Sequence, residues 1–111
     1  MSDVLQKLAA TIASRRGTDP TKSYTAGLLL EGPAKCAERF GEEAVEAIVE
    51  AARISAGGRN QAALTRESAD VLYHFLVMLA ACDVSLDDVL AELERRQGTS
   101  GIAEKASRGK G

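Results

Sequence analysis

Aromatic side chains are scarce in this 111-residue chain: two Phe, two Tyr and no Trp amount to 4% of it, against 45% hydrophobic residues overall. Sheet cores draw on aromatic and β-branched residues, so an apolar content carried largely by Ala and Leu points to packed helices. The expected fold class is all-α. Charge of one sign is also lacking, with a formal net charge of -2, which excludes a general electrostatic attraction to nucleic acid or to a membrane surface. Cysteine is limited to Cys36 and Cys82, far apart and without a C-x-x-C spacing, and the N-terminal "MSDVLQKL" lacks the basic-then-apolar layout of a signal peptide. A reduced, cytoplasmic setting is the expectation. The longest apolar run, residues 71–82, is interrupted by His74 and falls short of the roughly 20 residues that span a bilayer, so it reads as a core helix. No internal repeat or heptad pattern is evident.

What is present is a series of helices with their stop signals. The first is expected over residues 3–16, with Ser2 as a candidate N-cap, Val4, Leu5, Leu8 and Ile12 on one face and Gly17 as its end. After the loop "GTDPTKS", residues 23–30 form a short helix closed by Gly32. Pro33 then suits the first turn of a long helix, where its missing N–H is not needed, and that helix ends at Gly57-Gly58. The next takes in residues 61–82. The last begins at "SLDD", a capping-box pattern in which Val84 can staple against Val89, and it ends near Gly98. Residues 1–98 are expected to form one domain. Residues 99–111, "TSGIAEKASRGKG", have no apolar period and read as a basic, Gly/Ser-rich tail.

The long helix carries "FGEEAVEAIVEAA". At about 100° of rotation per residue, Lys35, Arg39, Glu42, Glu43, Glu46, Glu50 and Arg53 share one narrow stripe, while Phe40, Val45, Ile48, Val49 and the alanines cover nearly all the rest. The helix is therefore expected to be largely buried. A charged stripe is ordinarily a solvated face, but Glu43, Glu46 and Glu50 are like charges at helical spacing, which destabilise an isolated helix. The following helix repeats the device: Glu67 and Asp70 lie one turn apart, with His74 one turn further on. Two such helices facing one another would bring four carboxylates to one point. Like charges that close raise one another's pKa unless a cation neutralises them, and hard divalent cations such as Mg2+ favour oxygen donors and commonly engage substrate phosphates as well.

The pattern Glu-Glu-x-x-Glu followed by Glu-x-x-Asp resembles the MazG-like all-α nucleotide pyrophosphohydrolases. The surrounding stretches "DPTKSYTAGLLLEGPAKCAERFGEEAVEAIVEAA", "ESADVLYHFLVMLAACDVSLDDVLAELERR" and "GIAEKASR" are similar to the phosphoribosyl-ATP pyrophosphohydrolase family over essentially the whole chain. That resemblance implies a helical bundle of four to five helices and cleavage of phosphoribosyl-ATP to phosphoribosyl-AMP and pyrophosphate with Mg2+, the second step of histidine biosynthesis. It carries over Glu43 and Glu46 as the first metal pair, Glu67 and Asp70 as the second, Glu42 as the leading glutamate, and Lys35 and Arg39 as basic positions that meet phosphate. Gly27 and Glu38 stand where the family often has basic residues. Relatives are often fused to a zinc-dependent cyclohydrolase, but one histidine and two isolated cysteines leave no ligand set for that zinc. Either Glu42 or Glu50 is the candidate general base.

Other residues divide between structural and functional readings. His74 amid apolar neighbours is a hydrogen-bonded core residue or, less in keeping with its setting, a ligand. Tyr73, Phe75, Cys36 and Cys82 read as buried core. Lys105 and Arg108 either belong to a disordered tail or fold over a bound polyphosphate. The apolar helix over residues 61–82 leaves Leu72, Phe75, Leu76 and Leu79 to be covered, which predicts a side-by-side homodimer, with Arg95 or Arg96 reaching across to the partner's site. Two alternatives stand beside this: a MazG-like pyrophosphohydrolase of other nucleotide specificity, and a non-catalytic helical dimerisation module.

Overall fold

A computed structural model describes residues 3–98 together with Lys105 and Arg108. Five helices follow one another: α1 (Asp3–Arg15), α2 (Tyr24–Glu31), α3 (Pro33–Ser55), α4 (Gln61–Ala81) and α5 (Leu86–Arg95), with no strand among the described residues. The all-α expectation holds, and the helix ends fall within one or two residues of those expected, except that α5 stops at Arg95, three residues short of Gly98. Ser2 lies outside the described residues.

Local chemistry sets those ends. Ser23 accepts from the N–H of Ala26 at the start of α2, Asn60 from Ala63 at the start of α4, and Ser85 from Asp88 at the start of α5. Val84 and Val89 line the same shallow cavity, as a hydrophobic staple requires. Gly32, at φ 97°, ends α2 and opens α3, with Pro33 in the first turn behind it. α3 closes with the Gly57 N–H donating to Ile54 at 3.0 Å and the Gly58 N–H to Arg53 at 2.9 Å. Gly57 takes φ 104°, and a Cβ on Gly58 would stand 2.8 Å from the Arg53 carbonyl oxygen, so both glycines are needed there. The same motif ends α4, with Val84 N–H donating to Leu79 and Asp83 N–H to Ala80, yet the left-handed position is filled by Asp83 at φ 58°. The Arg16 guanidinium donates to the Ala80 carbonyl and pairs with Asp83 at 3.5 Å, tying α1 to this helix end.

α3 and α4 lie side by side as the main helix pair, α1 packs on α4, and α2 bridges both. Ile12, Leu28, Leu29, Cys36, Leu76, Val77, Ala81 and Leu86 form the buried core, in which α1, α2 and the start of α5 pack around the first turn of α3 and the second half of α4. Three expectations are corrected. α3 is not largely buried: Cys36 is its one fully buried residue, and Val45, Ile48 and Val49 are 57%, 65% and 41% exposed, because only α4 covers its second half. Leu76 needs no cover from elsewhere, being 4% exposed within this chain, whereas Leu72 remains open. Cys82 is exposed at the end of α4, while Cys36 is buried with its Sγ donating to the Leu28 carbonyl. Among the described residues, no single helix is long and apolar enough to cross a membrane.

Candidate metal centre

The stripe on α3 and the start of α4 meet. Carboxylate oxygens of Glu43, Glu46 and Glu67 lie within 4.8 Å of one another, contributed by two turns of α3 and one of the facing helix. Glu67 Oε2 is shut off from solvent and has no hydrogen-bond partner among the described residues. Burial pushes the Glu67 carboxyl above its ordinary range, and the close approach of Glu46 and the charges of Glu46, Asp70 and Glu50 push the same way. A withdrawn carboxylate oxygen without a donor is costly, so this arrangement calls for a proton or a cation.

The chain's own cations do not meet that need. Arg53 is engaged with Glu50 at 2.7 Å, and Lys35 with Glu38 at 3.2 Å. Among the described residues, His74 is the basic group that reaches one of the three carboxylates, with its Nε2 3.8 Å from Glu43 Oε1. Burial lowers the proton affinity of His74 and outweighs the opposing pull of Asp70, with Arg39 lowering it further, so the imidazole is held toward its neutral form. Three hard carboxylate donors, one of them carrying a buried and unpartnered oxygen, fit a hard divalent cation.

Of the four expected ligands the structure thus unites three. Asp70 is exposed, one turn along α4 from Glu67, and lies outside that set, although its charge reaches both Glu67 and His74. Glu42 is exposed beside the cluster, and an open cavity of about 290 Å³, lined by Val45, Glu46, Val49, Glu50, Arg53 and Glu67, adjoins it. Arg39 is exposed one turn before Glu43. Arg95 is not brought to the cluster: it sits in α5, beyond the opposite end of α4, and binds Glu92 through two hydrogen bonds of 3.0 and 2.8 Å. Lys105 and Arg108 are exposed, and the rest of the tail lies outside the described residues.

Sequence reasoning left one neighbour of the cluster unremarked. Tyr24 opens α2 and meets the His74 ring edge-on, with centroids 6.2 Å apart. Its only signal in the sequence is rarity, as one of few aromatic residues beside a helix cap.

Residues 5–97 match the family described as phosphoribosyl-ATP pyrophosphohydrolase. Among similar proteins, one from Cereibacter sphaeroides is 65% identical over 96% of this chain and 98% of its own length. One from Ruegeria pomeroyi is 65% identical over 97% and 98%, and one from Roseobacter denitrificans 67% identical over 94% of each. All three carry the name phosphoribosyl-ATP pyrophosphatase. A family of this kind suggests a divalent cation, and the acidic cluster between α3 and α4 is the candidate place for one.

Proposed function

Because the chain belongs to the phosphoribosyl-ATP pyrophosphohydrolase family, and so hydrolyses phosphoribosyl-ATP to phosphoribosyl-AMP and pyrophosphate in histidine biosynthesis, we propose that it does so with Mg2+ held by Glu43, Glu46 and Glu67. The observation that supports this reading is the convergence of the Glu43, Glu46 and Glu67 carboxylates, together with a buried Glu67 Oε2 that has no hydrogen-bond partner among the described residues. Asp70, one turn away, is proposed to complete the set from the open side. When bound, the cation supplies charge compensation for the phosphates and polarises the phosphorus under attack.

The remaining work falls to the chain's own side chains. Glu42 or Glu50 accepts the proton of the attacking water; Glu50 is already engaged with Arg53, which favours Glu42. Arg39 lies along the same stripe and meets the polyphosphate. Lys35 joins it by exchanging Glu38 for a phosphate, an exchange that gives up little, since exposed ion pairs contribute about 0–1 kcal/mol. Lys105 and Arg108 are proposed to come from a tail, residues 99–111, that closes over the substrate. Removing that tail from the domain of residues 1–98 should raise the Michaelis constant and leave the helices intact.

We further propose that the working form is a cytoplasmic homodimer. The exposed Val45, Ile48 and Val49 on α3, with Leu72 on α4, support a second copy as their cover. Arg95 would then serve the partner's site. Light scattering at micromolar concentration should give about twice 11.7 kDa, and a single-chain mass would refute the dimer. For the catalytic reading, pyrophosphate release from phosphoribosyl-ATP should depend on Mg2+ and be far faster than from ATP. Release that persists in a chelator, or equal rates on both nucleotides, would overturn it.

A further inference from the structure

Phe40 and Phe75 face each other across α3 and α4 with centroids 5.8 Å apart, and Tyr73 is half-buried against the core. Tyr24 differs, at 59% exposed. It is nonetheless held in place. Its backbone is fixed at the Ser23 cap, its ring lies within 22° of parallel to Tyr73 at 6.4 Å, and it meets His74 at 84°. The Tyr73 hydroxyl is tethered in turn to that of Thr25. The Tyr24 ring is therefore neighboured by Tyr73 and His74 while more than half of the residue stays open to solvent. His74 is next in line, with its Nε2 3.8 Å from Glu43, so a short row of rings leads from the carboxylate cluster to this exposed ring.

A nucleotide whose phosphates are held at the cluster carries its base at least one ribose away, and Tyr24 is likewise set off from Glu43 by one intervening ring, that of His74. In phosphoribosyl-ATP that base is an adenine bearing a second ribose on a ring nitrogen. Alkylation there makes the base more basic, so near neutral pH it is a cation, whereas the adenine of ATP is not. A cation over a tyrosine face gains electrostatic attraction beyond ordinary base stacking. Resting on the activity proposed above, we propose that the exposed ring of Tyr24 stacks the alkylated adenine and makes Tyr24 a specificity-determining residue against ATP.

The test uses N1-methyl-AMP and AMP, which lack the bond the enzyme cleaves, so it is independent of turnover. The wild-type protein with Mg2+ should bind N1-methyl-AMP more tightly than AMP at pH 7, by roughly threefold to tenfold in a calorimetric titration. Tyr24→Phe should keep that preference and Tyr24→Leu should lose it, with helical content unchanged by circular dichroism. The chain has no tryptophan, so its tyrosine emission can be read directly. N1-methyl-AMP should quench that emission in the wild type and leave the remaining tyrosine of Tyr24→Phe unquenched. No preference in the wild type, a preference retained in Tyr24→Leu, or equal quenching in Tyr24→Phe would each overturn the assignment. Failure of the wild type to hydrolyse phosphoribosyl-ATP would instead overturn the catalytic reading.

Discussion

His74 Nε2 stands 3.8 Å from Glu43 Oε1, so a buried imidazole reaches the acidic cluster from the core side. Burial holds that imidazole toward its neutral form, so it does little to offset the charge gathered by Glu43, Glu46 and Glu67, the cluster proposed to hold a cation. The cluster is therefore a place where folding and ligand binding pull in opposite directions.

Neutralising one carboxylate should separate the two. Glu46→Gln keeps the shape of the side chain and removes a charge from the neighbourhood of Glu67, so the metal-free protein should melt at a higher temperature than wild type. Mg2+ should no longer raise that temperature. Activity should fall by about 100-fold or more, given that even outer-shell changes at metal sites cost 10- to 100-fold. Thermal melts with and without Mg2+, together with a pyrophosphate assay, check all three.

Acid sensitivity should have a separate origin in α5. Hydrogen bonds from Arg95 and then Arg96 lower the Glu92 carboxyl from 4.5 to about 2. A depressed carboxyl contributes stability that is present above its unfolded-state pKa and is lost as pH falls through its folded value. The contribution should thus be complete above about pH 4.5 and fade toward pH 2. Urea midpoints measured across that range should slope less in Glu92→Gln than in wild type.

Leu76 belongs to the core of the single chain. Leu76→Ala should cost about 2–5 kcal/mol, the usual range for a buried leucine truncated in a packed interior, read as a lower urea midpoint. Leu72→Ala, at an exposed position, should cost far less in the isolated subunit.

Asp83 occupies a left-handed backbone position that favours glycine. Asp83→Gly should raise stability by about 0.5–1 kcal/mol, because relief of backbone strain exceeds both the added chain entropy and an exposed ion pair to Arg16. Differential scanning calorimetry should show the gain as a higher Tm.

Helix ends were legible because their causes are local: Ser23, Ser85, Gly32 and Gly57 act within a turn of where they sit. The acidic stripe was legible for a similar reason, since helical periodicity alone puts Glu43 and Glu46 on one face. Burial was not. The apolar residues at 45, 48 and 49 look like core in the sequence, yet the five helices supply only α4 as cover there. Cys82 and Leu76 illustrate the same limit in opposite directions, one open and one enclosed, since both outcomes depend on where α1 and α5 pack. Asp70 shares a face with Glu67, but helical spacing does not say which of two carboxylates a turn apart the facing helix approaches. Tyr24 gains its interest only from neighbours distant in the chain, Tyr73 and His74.

The core gathers around the beginning of α3 and the end of α4, whereas the hairpin tip beyond Glu46 and Glu67 is held mainly by one helix lying on the other. Opening at the Gly57-Gly58 end should therefore be a local event that leaves Ile12, Val77 and Leu86 packed. A ligand that clasps both helices closes this hairpin like a clip, so amide hydrogens around Ala52 and Ala63 are set to report occupancy of the site by slowed exchange while those of the core stay as they were.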